Sequence, residues 1–87
     1  MPEISRFYGI IIYMFVKDHN PPHFHAKYGE FIGVINILTG ELIEGELPRR
    51  ALRLVQDWTE LHKSELMKNW QSAQSNNPEI VKIEPLN

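Results

Sequence analysis

The chain contains no cysteine. That excludes disulfides, thiolate metal ligands and a thiol nucleophile, and it suits a reducing compartment, so a cytoplasmic location is expected. Long apolar runs are missing too. The longest, Ile10 to Val16, falls far short of the roughly 20 residues a membrane helix needs, so no membrane partner is expected. Met1-Pro2-Glu3 is acidic where a secretion signal would be basic. Neither charge sign dominates: 9 Lys and Arg face 11 Asp and Glu, for a net charge of -2. Broad attraction to nucleic acid or an anionic membrane is therefore not expected, although a local basic patch stays open. There is no Gly-rich phosphate loop, CxxC pair, nucleophile elbow, repeat or heptad array. The 87 residues suffice for one domain, residues 1–87, with one modest core.

What is present begins with strands, expected within residues 8–47. Ile10 to Val16 is β-branched and aromatic, and reads as a central strand. One face would carry Ile10, Ile12, Met14 and Val16, the other Ile11, Tyr13 and Phe15. Pro21 and Pro22 then remove two ladder donors in succession and stiffen the connection. His23 to Tyr28 reads as a second strand, Phe31 to Leu38 as a third and Glu41 to Gly45 as a fourth. The short links at Gly29 and Thr39-Gly40 favour an antiparallel meander.

At Leu47-Pro48 the period changes from two to about 3.6. Pro48 suits a helix start, and Ala51, Leu54, Val55, Trp58 and Leu61, with His62 at the edge, form an apolar stripe that Leu66, Trp70 and Ala73 continue. The helical region spans 48–77, either as one long helix or as two consecutive helices broken near His62 to Ser64. A short tail, 78–87, follows, with Ile80 to Ile83 as an edge strand or ordered segment. The expected class is α+β: a small antiparallel sheet of three to four strands packed against these C-terminal helices.

Three of the 4 histidines lie in His19-Asn20-Pro21-Pro22-His23-Phe24-His25. On a strand, His23 and His25 share a face with Cβ atoms roughly 6–7 Å apart. Three uses fit that geometry. His19, His23 and His25 could ligate zinc or another divalent metal, with Asp18 or Glu30 as an oxygen donor. His23 and His25, assisted by His19, could act as acid and base and cleave RNA through its own 2′-hydroxyl. Alternatively the histidines could cap the proline corner and need no cofactor. The spacing from His23 to Glu30 matches part of the cupin metal motif, but the rest of that motif is missing.

Arg49, Arg50 and Arg53 stand at the helix start, where cations oppose the helix dipole. Glu44 and Glu46 could compensate them. Alternatively these arginines, or Lys17 beside the histidines, could receive a phosphate or a partner's carboxylate.

Ile4-Ser5-Arg6-Phe7-Tyr8-Gly9-Ile10, His19-Asn20-Pro21-Pro22-His23-Phe24-His25-Ala26, Gly40-Glu41 and Glu46-Leu47-Pro48-Arg49-Arg50-Ala51-Leu52 together resemble a prokaryotic domain-of-unknown-function family, the one numbered 4160. The resemblance covers nearly the whole chain. It implies a two-gene arrangement beside another small domain, hence a toxin–antitoxin or regulatory partnership, but it brings no established activity or catalytic residue. The leading expectation is a small interaction or regulatory module with a partner protein, and a homodimer is open. The alternatives are a histidine-dependent ribonuclease or metal-dependent hydrolase, and a non-catalytic binder of RNA or DNA.

Overall fold

The computed structural model describes residues 2–87. Strands β1 (Glu3–Phe7), β2 (Ile10–Tyr13), β3 (His23–Tyr28), β4 (Phe31–Asn36) and β5 (Leu42–Gly45) precede helices α1 (Arg49–Leu61) and α2 (Lys63–Ala73). Each strand pairs antiparallel with the next, so spatial order follows chain order. The turns explain this meander. Tyr8 and Gly9 both take positive φ, 49° and 81°, as a two-residue type I′ hairpin requires, and Phe7 pairs with Ile10. At Tyr8 this left-handed geometry costs an L-residue about 1–2 kcal/mol. Gly29 alone supplies positive φ in the next hairpin, φ 59°, as expected for type II′.

One sheet face is the core. Ile10, Ile12, Phe24, Ala26 and Ile35 lie under Ala51, Val55 and Trp58 of α1 and Leu66, Trp70 and Ala73 of α2, all buried. Burying each large aliphatic side chain contributes roughly 1.5–3 kcal/mol. Trp58 is fully buried, with ring centroids 5.3 Å from Phe7 and 5.8 Å from Phe24. Its indole N–H donates to the Glu84 carbonyl at 2.8 Å, which satisfies the polar handle a buried tryptophan brings. Gly33 sits among these residues because Leu42 and Leu47 occupy the space a Cβ would take. The α+β class, the antiparallel sheet and the helical layer thus agree with expectation.

Three details differ from the sequence reading. β1 is a fifth strand, outside the expected 8–47 window. Its only large apolar residues, Ile4 and Phe7, are three apart, and a register shift between Glu3 and Ser5 hides the alternation. The central strand ends at Tyr13, not Val16, because the chain turns towards the end of α2, where the Lys17 amide donates to the Ala73 carbonyl at 2.9 Å. Phe15 and Val16 are consequently exposed. The third expected strand stops at Asn36, whose side chain accepts from the Leu38 and Thr39 amides at 2.8 and 3.2 Å and so builds the next turn. The helical region divides at His62, with φ -124°, which selects the two-helix alternative with its break near His62 to Ser64. Ile80 to Ile83 is an ordered tail without strand assignment. The Ile83 amide donates to the Ile4 carbonyl at 2.9 Å, and the Asn69 amide clamps both Val81 backbone groups at 2.8 and 2.9 Å.

Candidate metal centre

The alternation of β3 sends Phe24 and Ala26 into the core and His23 and His25 to the opposite face, as period two requires. The imidazole centroids are 5.5 Å apart. The proline corner brings a third group to them. The Pro22 carbonyl accepts from the Ile37 amide at 3.0 Å, which ties the corner to the end of β4. Asp18 then reaches His23: Oδ2 lies 2.9 Å from Nε2, while the other ring nitrogen, Nδ1, lies 2.7 Å from the Pro21 carbonyl oxygen. One ligand atom from each of Asp18, His23 and His25 fits within 4.8 Å of the others.

His23 faces acceptors on both sides. Both contacts are hydrogen bonds only when both ring nitrogens carry protons. The arrangement also suits a different state, in which Nδ1–H is held by a backbone carbonyl and Nε2 offers its lone pair to a cation. His25 is walled by Tyr13, stacked at 5.1 Å, and Phe15, edge-on at 4.9 Å. Its Nδ1 is buried without a hydrogen-bond partner. Burial, and then the neighbouring His23 charge, lower the pKa of His25, so its neutral, ligand-competent form is favoured. Burial pushes the Asp18 carboxyl up, but the His19 amide and the hydrogen bond and charge of His23 together hold it below the usual carboxylate range.

These groups open into a cleft of about 290 Å³, whose lining also includes His19, Val34, Ile43 and Glu44. Glu44 arrives through the pairing of β5 with β4, opposite Val34, which itself pairs with His25. Two carboxylates and no lysine or arginine line the cleft.

Residues 9–71 match the family described as Domain of unknown function (DUF4160). The chain belongs to this family. No curated protein and no solved structure matches it. The DUF4160 match takes in Asp18, His23, His25 and Glu44, together with all three arginines at the helix start.

The remaining sequence candidates of this DUF4160 domain fall elsewhere. The His19 ring is 96% exposed, its Nδ1 3.7 Å from Asp18 Oδ1, so it stands outside the three-residue cluster instead of folding over it. Asp18 takes the third position because its short side chain lies directly across the corner from His23. Glu30 is in the β3–β4 turn, at the far end of β3. Lys17 directs its amino group at the end of α2, donating to the Ser75 carbonyl at 2.7 Å. Arg49, Arg50 and Arg53 are exposed on α1. Arg50 lines a separate cleft with Tyr28, at the end of β3 remote from His23. The expected meeting of arginine and histidine does not occur: the His23 ring packs on Trp70 in α2, with centroids 5.1 Å apart, whereas the arginines stand at the start of α1. Sequence reasoning gave Glu44 a role only in balancing the arginines. Its place beside His25 depends on the β4–β5 register shift, which leaves no mark in the local pattern. His62 lies on Trp58 with its Nδ1 2.6 Å from a Glu65 carboxylate oxygen, a structural use.

Proposed function

We propose that the Asp18–His23–His25 cleft is a divalent-metal centre with hydrolytic activity. The observation that carries this reading is the convergence of the three ligand atoms within 4.8 Å, in a cleft open to solvent. Tetrahedral ligands about 2.0–2.1 Å from zinc lie roughly 3.3 Å from one another, so small side-chain rotations suffice to close the site. Two histidines and one carboxylate leave coordination positions for water and substrate. A divalent ion there supplies Lewis acidity and lowers the pKa of water. Glu44 is placed to accept a proton, and Tyr13 and Phe15 hold the His25 ring in position.

Charge favours the metal over a metal-free acid–base pair. A phosphodiester entering the cleft meets Asp18 and Glu44 with no lysine or arginine in the lining. A divalent cation offsets both carboxylates. The purified chain is expected to bind about one zinc or manganese ion and to hydrolyse a phosphodiester, such as single-stranded RNA, in a chelator-sensitive way. Loss of both properties in His23→Ala and His25→Ala, with the fold retained, supports the assignment. Failure of the wild-type chain to bind either ion at micromolar concentration rejects it. RNA cleavage that survives chelation but needs both histidines would favour the acid–base ribonuclease.

A second reading, the interaction module, has support from the uncovered sheet face. Phe15 beside His25 and Ile43 in the cleft lining are exposed, as is Ile32 opposite Lys27; a cytoplasmic partner protein of a toxin–antitoxin-like pair, or a second copy, would bury them. Recovery of a stoichiometric partner that protects these residues from exchange supports it. A monomer with no partner in native cells counts against it.

A further inference from the structure

A second cleft, of about 350 Å³, lies on the helix side of the sheet at the end remote from His23. We propose that it binds a nucleotide, with the base against Tyr8 and Tyr28 and the phosphate on Arg50. This site is independent of the metal centre and does not rest on it.

The volume is within the range of small-molecule sites, about 300–1,000 Å³. Its floor is apolar, formed by Ile10, Ala51 and Leu54. Its rim holds two phenol rings and one guanidinium. Arg50 is the only charged residue in the lining, and the nearest acids in sequence, Glu30 and Glu46, are absent from it. The first turn of α1 contains no acidic side chain, so nothing there neutralises Arg50. An apolar floor with aromatic walls selects a flat ring, and a lone guanidinium at the rim selects an attached anion. A nucleotide combines the two.

The tyrosines are not arranged for folding. Tyr8 is 59% exposed although it occupies a left-handed position that asparagine or glycine fills with less strain. Its ring gains little burial in return, and strain retained at an exposed aromatic is the pattern of a recognition residue. Tyr28 is fixed from below, since its ring lies 3.4 Å from where a Gly9 side chain would begin. The bare Gly9 thus seats Tyr28 beside Tyr8.

The same chemistry could come from a free nucleotide or from one residue of a nucleic-acid strand. Titrate the isotope-labelled chain with adenosine 5′-monophosphate, adenosine, inorganic phosphate and tetra-adenylate, and follow amide resonances. The monophosphate should give saturable shifts centred on Tyr8, Gly9, Tyr28 and Arg50. Adenosine and phosphate alone should bind at least roughly tenfold more weakly. Arg50→Gln should weaken the monophosphate by about tenfold, and Tyr8→Gly by roughly fivefold to a hundredfold. Tyr8→Gly also relieves the left-handed strain, so its melting temperature should not fall, which separates lost binding from lost folding. Tighter binding of tetra-adenylate identifies a strand as the source, and equal binding identifies the free nucleotide. Absence of saturable shifts with both at about 10 mM overturns the proposal, as do shifts that are unchanged in both variants.

Discussion

Asp18→Asn separates the charge of the cluster from its shape. Asparagine keeps one oxygen for the His19 amide, which Asp18 Oδ1 accepts at 3.0 Å, and puts an NH2 donor in the Oδ2 position, where it can donate to an unprotonated His23 Nε2, so the corner should still close. The wild-type contact between Asp18 Oδ2 and His23 Nε2, at 2.9 Å with both side chains mostly buried, is charge-assisted. Such bonds contribute about 1.5–3 kcal/mol and neutral ones about 1. The side chains retain some solvent, so a net cost near 1 kcal/mol is expected without metal. In a domain of this size that lowers the melting temperature by roughly 4–8 °C. Metal makes the larger difference. An ion at a hundred times its Kd stabilises the fold by about 2.7 kcal/mol, hence roughly 10–20 °C at the same conversion. The variant should lose most of this gain. Melting both proteins by circular dichroism, with zinc, with manganese and with chelator, gives one four-cornered cycle for each ion. A wild-type midpoint that ignores both ions refutes the metal centre. An equal metal-dependent rise in Asp18→Asn refutes the role of the carboxylate.

Three further outcomes are expected. Gly45→Ala should destabilise the fold by more than about 2 kcal/mol in a denaturant titration, because φ is 78° and the new Cβ would collide with the Ile32 carbonyl oxygen; a neutral substitution would mean that β5 is misplaced. Asn69→Ala should cost about 2 kcal/mol and speed hydrogen exchange at Val81, whose amide donates to Asn69 at 2.9 Å; unchanged exchange would deny that the tail is clamped. His25, with its pKa lowered from 6.5 by burial and then by the His23 charge, resists a proton that the unfolded chain accepts. Its contribution is therefore complete above about pH 6.5 and declines as pH falls towards the folded value, by no more than about 1.4 kcal/mol per pH unit. Melts from pH 7.5 to 5 should show that decline, and His25→Phe should flatten it. A wild-type profile identical to that of the variant would contradict the assigned burial.

The histidine motif was legible because strand periodicity is local. His23 and His25 share a face whatever surrounds them, and the paired prolines announce a corner. Neither the turn at Tyr8-Gly9 nor β1 behind it was legible, since only Ile4 and Phe7 signal an inner face and the register shifts at Ile4, between Glu3 and Ser5. Asp18 was visible as one of two oxygen donors, beside Glu30. Choosing it over His19 required knowing which way the corner folds, and that is fixed by the Pro22–Ile37 hydrogen bond at 3.0 Å.

By itself the chain determined its class, the antiparallel hairpins, the amphipathic helices and the two-histidine strand, all consequences of neighbours within a few residues. Tertiary structure decided the rest. It joined Glu44 to the histidines through a β5 register no local rule specifies. It tied Lys17 to the end of α2, and it set Arg50 beside Tyr8 and Tyr28, away from the site it was expected to serve. Charged side chains on flexible stems take their partners from whatever packing brings within reach, so their roles follow the assembled sheet and helices and not the order of residues along the chain.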